Sequence, residues 1–214
     1  MTPPSVTGSM AERAYHELRA RIIDLRLPPG TALDEDRLRT ELGVGRTPMR
    51  EAVKRLEAER MVQVYPRRGT IVTEVSLLDL RAISDARRVM EAFAARTAAT
   101  RLGDGDRSRI TDLLDRVPSV AQVSTAQAMV FDREVHQVIW AVMRNSYLED
   151  TLSHYFDVAL RLWNYVLDRM PPMNENVTEH ADLLQAILDA DAETAARLAE
   201  EHVTHFEATV RASL

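Results

Sequence analysis

Apolar residues recur at helical spacing through the first part of the chain and are interrupted by strong helix breakers. Residues 10–26 place apolar side chains on one helical face, and the run LPPGT ends this predicted helix. Residues 34–42 predict a short helix with an acidic first turn, which Gly43 closes. A second helix follows and extends to about Arg60. Its predicted buried stripe consists of Met49, Ala52, Val53 and Leu56.

The start of that second helix contains an electrostatic conflict. Thr47 followed by Pro48 is typical of a helix start, with a hydroxyl at the N-cap and proline at the first helical position. Arg46 and Arg50 flank this start, although cations are unfavourable at the positive end of the helix macrodipole. The two arginines are therefore expected either to be ordinary exposed residues or to meet a polyanion.

Two short strands, VQVY and TIVTEV, follow on either side of the turn PRRG. Helix, short turn, helix and β-hairpin are the order of a winged helix-turn-helix, whose second helix enters the DNA major groove. Residues 1–75 hold 13 basic and 11 acidic residues, a net charge of +2, whereas residues 76–214 hold 14 and 22, a net charge of −8. This asymmetry predicts two modules with different partners.

From Ser76 onwards the pattern indicates helices only, separated in part by the breakers GDGD, Pro118 and PPMN. Six helices are predicted, at 77–102, 106–116, 121–144, 147–169, 176–190 and 192–212. The expected organisation is a disordered tail at 1–9, a winged helix-turn-helix DNA-binding domain at 10–75 and a helical domain at 76–214.

Four polar residues fall on core-facing stripes of the helical domain. Asp132 and His136 lie one helical turn apart on the same face, and His180 and His202 lie on the inner stripes of two later helices. A buried carboxylate is costly unless it is paired or ligated, and imidazoles with a carboxylate suit Zn, Ni, Mn or Fe. A single histidine at such a position is more often an ordinary core residue. For the four residues together, the sequence supports a metal site and ordinary core packing equally. His205 is an alternative to His202 that fits the stripe less well.

Arg87 raises a similar question, because it also lies on an inner stripe. One interpretation is an ion pair with Glu91, which lies one helical turn further along. The other interpretation is a guanidinium that turns into a pocket and binds a carboxylate through two hydrogen bonds.

Composition narrows the function classes. The chain has no cysteine, which excludes disulfides, thiolate metal sites and cysteine nucleophiles. No apolar run approaches the length of a membrane span, and the opening MTPPSVTGSM lacks the basic and apolar regions of a signal peptide. We therefore expect a cytoplasmic protein without a membrane partner.

Specific motifs resemble a known family. The DNA-binding domain of GntR-type transcriptional regulators is similar over its whole length to the run LPPGTALDEDRLRTELGVGRTPMREAVKRLEAERMVQVYPRRGTIV. The core GVGRTPMREA and the wing RRGT are its most specific parts. The remainder resembles the FadR-type C-terminal domain, the all-helical FCD ligand-sensing bundle, through FDREVH at 131–136 and the 22-residue step from His180 to His202. Six helices are similar to the VanR-like branch. The resemblance implies a mainly α fold, with an N-terminal winged helix-turn-helix and an all-helical C-terminal ligand-sensing bundle.

The resemblance also implies a function: a homodimeric, metabolite-responsive regulator, more commonly a repressor, that binds an inverted-repeat operator in double-stranded DNA. Its effector would be a small carboxylate sensed beside a divalent ion, with Zn expected first and Ni, Mn or Fe as alternatives. The residues matched to metal ligands are Asp132, His136, His180 and His202. The residues matched to DNA contacts are Arg46, Thr47, Arg50 and Gly69. Arg67 and Arg68 would add charge in the wing, and Arg87 would hold an effector group. Many relatives carry arginine where this chain has Asp36.

Two alternatives remain at this point. A metal-dependent enzyme fused to a DNA-binding module would use an aspartate and three histidines with an open coordination position to activate water. Only Glu134 and His154 are candidates for its general base, so we do not expect an enzyme. The third interpretation is a purely structural metal.

Overall fold

The computed structural model describes residues 8–120, 123–166 and 174–213, and the chain divides into two compact units, Met1–Ser76 and Leu77–Leu214. Most of the disordered tail expected at 1–9 lies outside the described residues, as do the end of the helix expected at 147–169 and most of the breaker PPMN. No helix in the described ranges is long and apolar enough to cross a membrane.

Unit 1 begins with three helices whose starts and ends follow from local sequence. They are α1 (Met10–Ile23), α2 (Glu35–Leu42) and α3 (Arg46–Ala58). A capping box between Ser9 and Glu12 starts α1, and the Asp34 side chain caps α2. Gly43 ends α2 in the left-handed region, with φ of 63°, which lets the chain turn sharply into α3.

The start of α3 differs from the sequence prediction. Thr47 was expected as the N-cap and Pro48 as the first helical residue, but this is wrong: the helix begins at Arg46, and Gly45 is an N-cap without a side-chain hydrogen bond. Pro48 is still tolerated, because an N–H in the first turn has no partner within the helix. Arg46 and Arg50 therefore both lie in the first two turns of α3.

A β-hairpin follows α3 and forms the wing. It pairs β1 (Val62–Tyr65) with β2 (Gly69–Val72) in antiparallel register, with Tyr65 opposite Gly69. The second strand thus ends before the expected TIVTEV does. The segment that precedes α2 extends this sheet, because the Leu33 N–H donates to the Thr70 carbonyl at 2.8 Å.

The core of unit 1 fixes the orientation of α3. This helix packs against α1 around fully buried side chains, namely Leu18, Ile22, Met49 and Leu56. Each such burial stabilises the unit by about 1.5–3 kcal/mol. Glu59, after the end of α3, accepts hydrogen bonds from the Tyr15 hydroxyl at 2.6 Å and from Arg19 Nε at 3.1 Å. The face of α3 opposite this core is exposed.

Unit 2 contains six described helices and no described strand. They are α4 (Leu77–Arg101), α5 (Asp104–Val120), α6 (Thr125–Met143), α7 (Ser146–Val166), α8 (Asn174–Leu188) and α9 (Ala192–Ala212). Pro118 was expected to follow the end of the second of these helices, but it lies inside α5. Only two helical residues follow the proline, so it disturbs the last turn and does not break the helix in its middle.

Helix α4 is central to unit 2. It packs along α9 and also contacts α6, α7 and α8. Both α4 and α9 contribute small buried residues, namely Ala94, Ala95, Ala98, Ala99, Ala195, Ala196 and Ala199. Small side chains let helices approach closely. The same core contains a buried polar cluster to which α6, α8 and α9 contribute.

Candidate functional site

The first turns of α3 present polar side chains to solvent. Arg46, Thr47 and Arg50 are all exposed, because the apolar stripe on the opposite side of α3 faces the core. The wing presents Arg67, Arg68 and Gly69, which are exposed as well. Gly69 has φ of 85°, and a side chain there would be strained even though the space around it is open.

The arginines of unit 1 differ in whether a carboxylate neutralises them. Those that hold a carboxylate are Arg19, Arg21, Arg26, Arg37 and Arg39. Within the described residues, Arg46, Arg50, Arg67 and Arg68 make no side-chain hydrogen bond or ion pair. Arg13, Lys54 and Arg60 share this property, so free charge alone does not define the site. What distinguishes the four arginines is their position in the first two turns of α3 and in the turn of the wing.

Three helices of unit 2 bring together the four predicted metal ligands. Asp132 and His136 come from α6, His180 from α8 and His202 from α9, and all four side chains are buried. One carboxylate oxygen, Asp132 Oδ1, lies 3.3 Å from His180 Nε2, 3.4 Å from His202 Nε2 and 3.9 Å from His136 Nε2. The donor atoms all lie within 4.8 Å of one another.

The hydrogen bonds around this cluster fit a bound cation. His136 Nδ1 lies 3.2 Å from Glu91 Oε2, and His202 Nδ1 lies 3.1 Å from Glu179 Oε2. His136 Nε2 is buried and makes no hydrogen bond to any residue that the structure describes. Metal-binding histidines commonly donate their outer N–H to a carboxylate and offer the inner nitrogen to the ion. The donor set and its surroundings therefore suit a divalent metal.

The buried carboxylates and imidazoles of the cluster compensate one another's charges. Burial by itself would raise the pKa of Asp132, but the His202 hydrogen bond and the charges of the three imidazoles lower it well below its usual range. Burial opposes ionisation of Glu91 too, yet His136, Arg87 and Trp140 lower its pKa to about 2. Burial would lower the pKa of His202, whereas Asp132 and Glu179 raise it to about 9. Without a metal, a proton on His202 thus partly replaces the cation.

Arg87 combines features of both of its sequence interpretations. It is buried, and its Nη2 donates to Glu91 Oε1 at 3.1 Å, which is the expected ion pair. It also lines a small cavity together with Asp132 and His202, and its guanidinium lies 5.1 Å from the centre of the Phe156 ring. The cavity has room for about one water molecule.

Two carboxylates of this site are not predicted from the sequence. The sequence predicts Glu91 only as an ion-pair partner of Arg87, and it predicts no role for Glu179. The available signals were the position of Glu91 on the buried stripe of α4 and the place of Glu179 directly before His180. His205, the alternative ligand, is exposed; its Nδ1 lies 2.7 Å from Glu179 Oε1, and it is not among the converging donors.

A winged helix-turn-helix joined to a helical unit with a buried donor cluster defines a DNA-binding transcriptional regulator. Residues 10–72 match the family described as "Bacterial regulatory proteins, gntR family", and residues 82–205 match the "FCD domain". The chain belongs to the gntR family of bacterial regulatory proteins and carries an FCD domain. FCD domains include metal-binding members.

Similar proteins agree with this assignment. The chain is 23% identical over 206 residues to the HTH-type transcriptional repressor RspR of Escherichia coli K12. This alignment covers 96% of the present chain and 90% of RspR. Its fold is similar to that of E. coli McbR/YncC, with a TM-score of 0.84, 22% identity and coverage of 96% and 99%. The metal-free FCD domain of TM0439 is also similar, with a TM-score of 0.53, 18% identity and coverage of 65% and 96%. RspR is named as a transcriptional repressor, so the interpretation of this chain as a metal-dependent enzyme is not supported.

The raised pKa of His202 predicts how the metal-free protein responds to pH. Its folded pKa of about 9 lies above the ordinary value of 6.5, so its contribution to stability is fully present below pH 6.5 and is lost as pH rises through 9. We expect the Tm of the full chain in chelator to fall across this range. His202→Gln should remove most of this dependence, whereas the exposed His16→Gln should retain it. A wild-type Tm that is constant or rises would contradict the expectation.

Proposed function

We propose that this protein is a homodimeric repressor that binds an inverted-repeat operator and senses a small carboxylate at a divalent-metal site. The observation that carries the proposal is the convergence of four buried donors from three helices within 4.8 Å, in a chain that also has a DNA-binding unit. The name of RspR as a repressor supports the sign of regulation.

We propose that residues 10–75 bind DNA and that residues 76–214 bind the metal and the effector and form the dimer. The six helices described in the second domain support the FadR-type subfamily and its VanR-like branch. Because its target is DNA, we place the protein in the cytoplasm.

In the proposed DNA complex, the amino-terminal end of α3 enters the major groove. Arg46 and Arg50 would donate to guanine O6 and N7 or to adjacent phosphates, and Thr47 would contact phosphate. Arg67 and Arg68 would contact the backbone or minor groove, and the side-chain-free Gly69 would permit close approach of the wing. Cations at the positive end of α3 are unfavourable for the isolated helix, but they are suited to a polyanion.

Substitution of Arg50 tests this interface. The probe is a labelled duplex from the region upstream of the protein's own gene. Arg50→Ala should weaken binding strongly, because each lost bidentate contact costs about 1–3 kcal/mol and a dimer loses two. Its Tm should change little, since Arg50 is exposed and makes no bond within the described residues. Arg13→Ala, another exposed arginine of this kind on α1, is the matched control. Wild-type affinity in Arg50→Ala would exclude the assignment of α3.

The proposed metal ligands are Asp132, His136, His180 and His202, and Zn is the proposed ion, with Ni, Mn or Fe as alternatives. This donor set of nitrogen and oxygen suits all four ions. A bound divalent ion would supply a Lewis acid to which an anionic oxygen of the effector can coordinate. The protein's own part is to keep the four donors together and dry in the core.

Elemental analysis tests the metal site. The purified protein should contain about one divalent ion per chain, as expected for a single four-donor site. The double variant His136→Ala with His180→Ala should lose it, whereas the exposed His16→Ala should retain it. A wild-type protein that is empty and also refuses added Zn or Ni would exclude the proposal. Metal that binds without any response of bound Co(II) to small carboxylates would support a purely structural ion.

Arg87 is the proposed second anchor of the effector. Arg87 lines the cavity beside Asp132 and His202. Its guanidinium would hydrogen-bond an oxygen of a ligand that also coordinates the ion. Because the cavity holds about one water molecule, a carboxylate enters only if lining side chains move. That movement is a means by which effector binding would favour one state of the domain over another.

The proposed dimer contact is one side of α4. Leu78, Val89 and Phe93 are exposed there, at spacings of eleven and four residues that keep them on one side of a helix. An exposed apolar face marks an interaction site, and a two-fold symmetric dimer lets one such face pair with itself. We therefore propose a second copy of this chain as the occupant.

A charge on that face should prevent dimerisation. Val89→Asp should shift the mass in solution from about twice the chain mass of 24.2 kDa towards a single chain. Val130→Asp on α6 is the control, because Val89 is 73% exposed and Val130 is 70% exposed. Light scattering coupled to gel filtration measures both. An unchanged dimer in Val89→Asp would exclude this face.

A further inference from the structure

Two carboxylates hold the outer nitrogens of two candidate ligands, and the proposed function does not use either one. Glu91 on α4 pairs with His136 on α6, and Glu179 on α8 pairs with His202 on α9. Each pair therefore joins two different helices. In both pairs the histidine nitrogen involved is Nδ1, and in both the other nitrogen, Nε2, faces Asp132.

The hydrogen-bonding capacities of these groups determine the histidine tautomer. An ionised carboxylate can only accept hydrogen bonds, so Nδ1 must carry the hydrogen in each pair. A neutral imidazole that is protonated at Nδ1 has its lone pair at Nε2. With a metal bound, His136 Nε2 and His202 Nε2 would offer these lone pairs to the ion, on the side where Asp132 Oδ1 lies 3.9 Å and 3.4 Å away. Without a metal, His202 Nε2 instead carries a second proton and donates it to Asp132. A cation between these atoms would be bound by both Nε2 lone pairs and by the Asp132 oxygen. A histidine with its hydrogen on Nε2 would instead direct an N–H at the ion and could not bind it.

We propose that Glu91 and Glu179 are positioning residues of the metal centre, which hold His136 and His202 in the tautomer and orientation that bind a divalent ion. This inference rests on the proposed metal site. Neither glutamate is a ligand: each acts through the imidazole that it contacts.

The two positioning residues differ in rigidity. The Glu91 side chain is 2% exposed, and it also accepts from Arg87 Nη2 at 3.1 Å and from Trp140 Nε1 at 2.7 Å. The Glu179 side chain is 31% exposed and shares its carboxylate with the exposed His205. Since Glu91 is fixed by three donors, it constrains its histidine more strongly than Glu179 does. It also joins the proposed effector anchor, Arg87, to a metal ligand through one carboxylate.

Amide substitutions at the two positions test the inference, with Zn as the probe and the full chain as the protein. Glu91→Gln should weaken Zn affinity about 10–100-fold, and Glu179→Gln should weaken it less. In the Zn-loaded protein, nitrogen NMR of the histidine rings should show the Nδ1–H signals of His136 and His202 altered in the corresponding variant only. Glu193→Gln is the matched control, because it removes the ion pair between Glu193 and Arg96 away from the site.

The outcomes separate positioning from a merely structural role. Lower thermal stability with unchanged Zn affinity and unchanged ring signals would overturn the inference. If Glu91→Gln does not fold, Glu179→Gln decides, because that side chain is partly exposed and its loss is better tolerated. A wild-type chain that refuses Zn would overturn the metal site and this inference together. A wild-type chain that binds Zn no more tightly than both variants would overturn the positioning role alone.

Discussion

The burial of the Asp132 carboxylate is the constraint on which the rest of unit 2 depends. A carboxylate removed from water is strongly destabilising unless opposite charge and hydrogen bonds compensate it. Here the compensation comes from three imidazoles on α6, α8 and α9. Because no single helix supplies it, those three helices must keep one mutual arrangement for the aspartate to stay ionised in the core. The polar cluster therefore constrains how these three helices are arranged relative to one another.

Glu91 brings the central helix α4 into the same network. This buried carboxylate lies between Arg87 on its own helix and His136 and Trp140 on α6. The helix that carries the proposed effector anchor and the proposed dimer face is thus bonded directly to a candidate metal ligand. A shift of His136 would therefore act directly on α4 through its contact with Glu91. Hydrogen bonds between charged groups are strong in a low-dielectric core.

The arginines of the proposed DNA-binding surface and the buried Arg87 have opposite environments. In unit 1, the arginines on α3 and the wing are exposed and have no carboxylate partner among the described residues, which costs little in water and leaves them available for phosphates. In unit 2, Arg87 is buried and its charge is matched by Glu91. The side chain is the same, but burial decides whether it is a surface contact for a polyanion or part of an internal charge balance.

The sequence alone determined the order of elements, because helical and strand periodicity and breakers such as Gly43 act locally. It also predicted the four residues that converge, since a polar side chain on an apolar stripe must be buried with a partner. It did not determine where α3 begins, because Gly45 could serve as the N-cap in place of Thr47, or that α5 continues past Pro118. Nor did it show that Glu91 and Glu179 hold His136 and His202. Those contacts join residues 45 and 23 positions apart, on different helices. Only tertiary packing decides which side chains from separate helices share one buried space, because that choice depends on interhelical distances that no local pattern encodes.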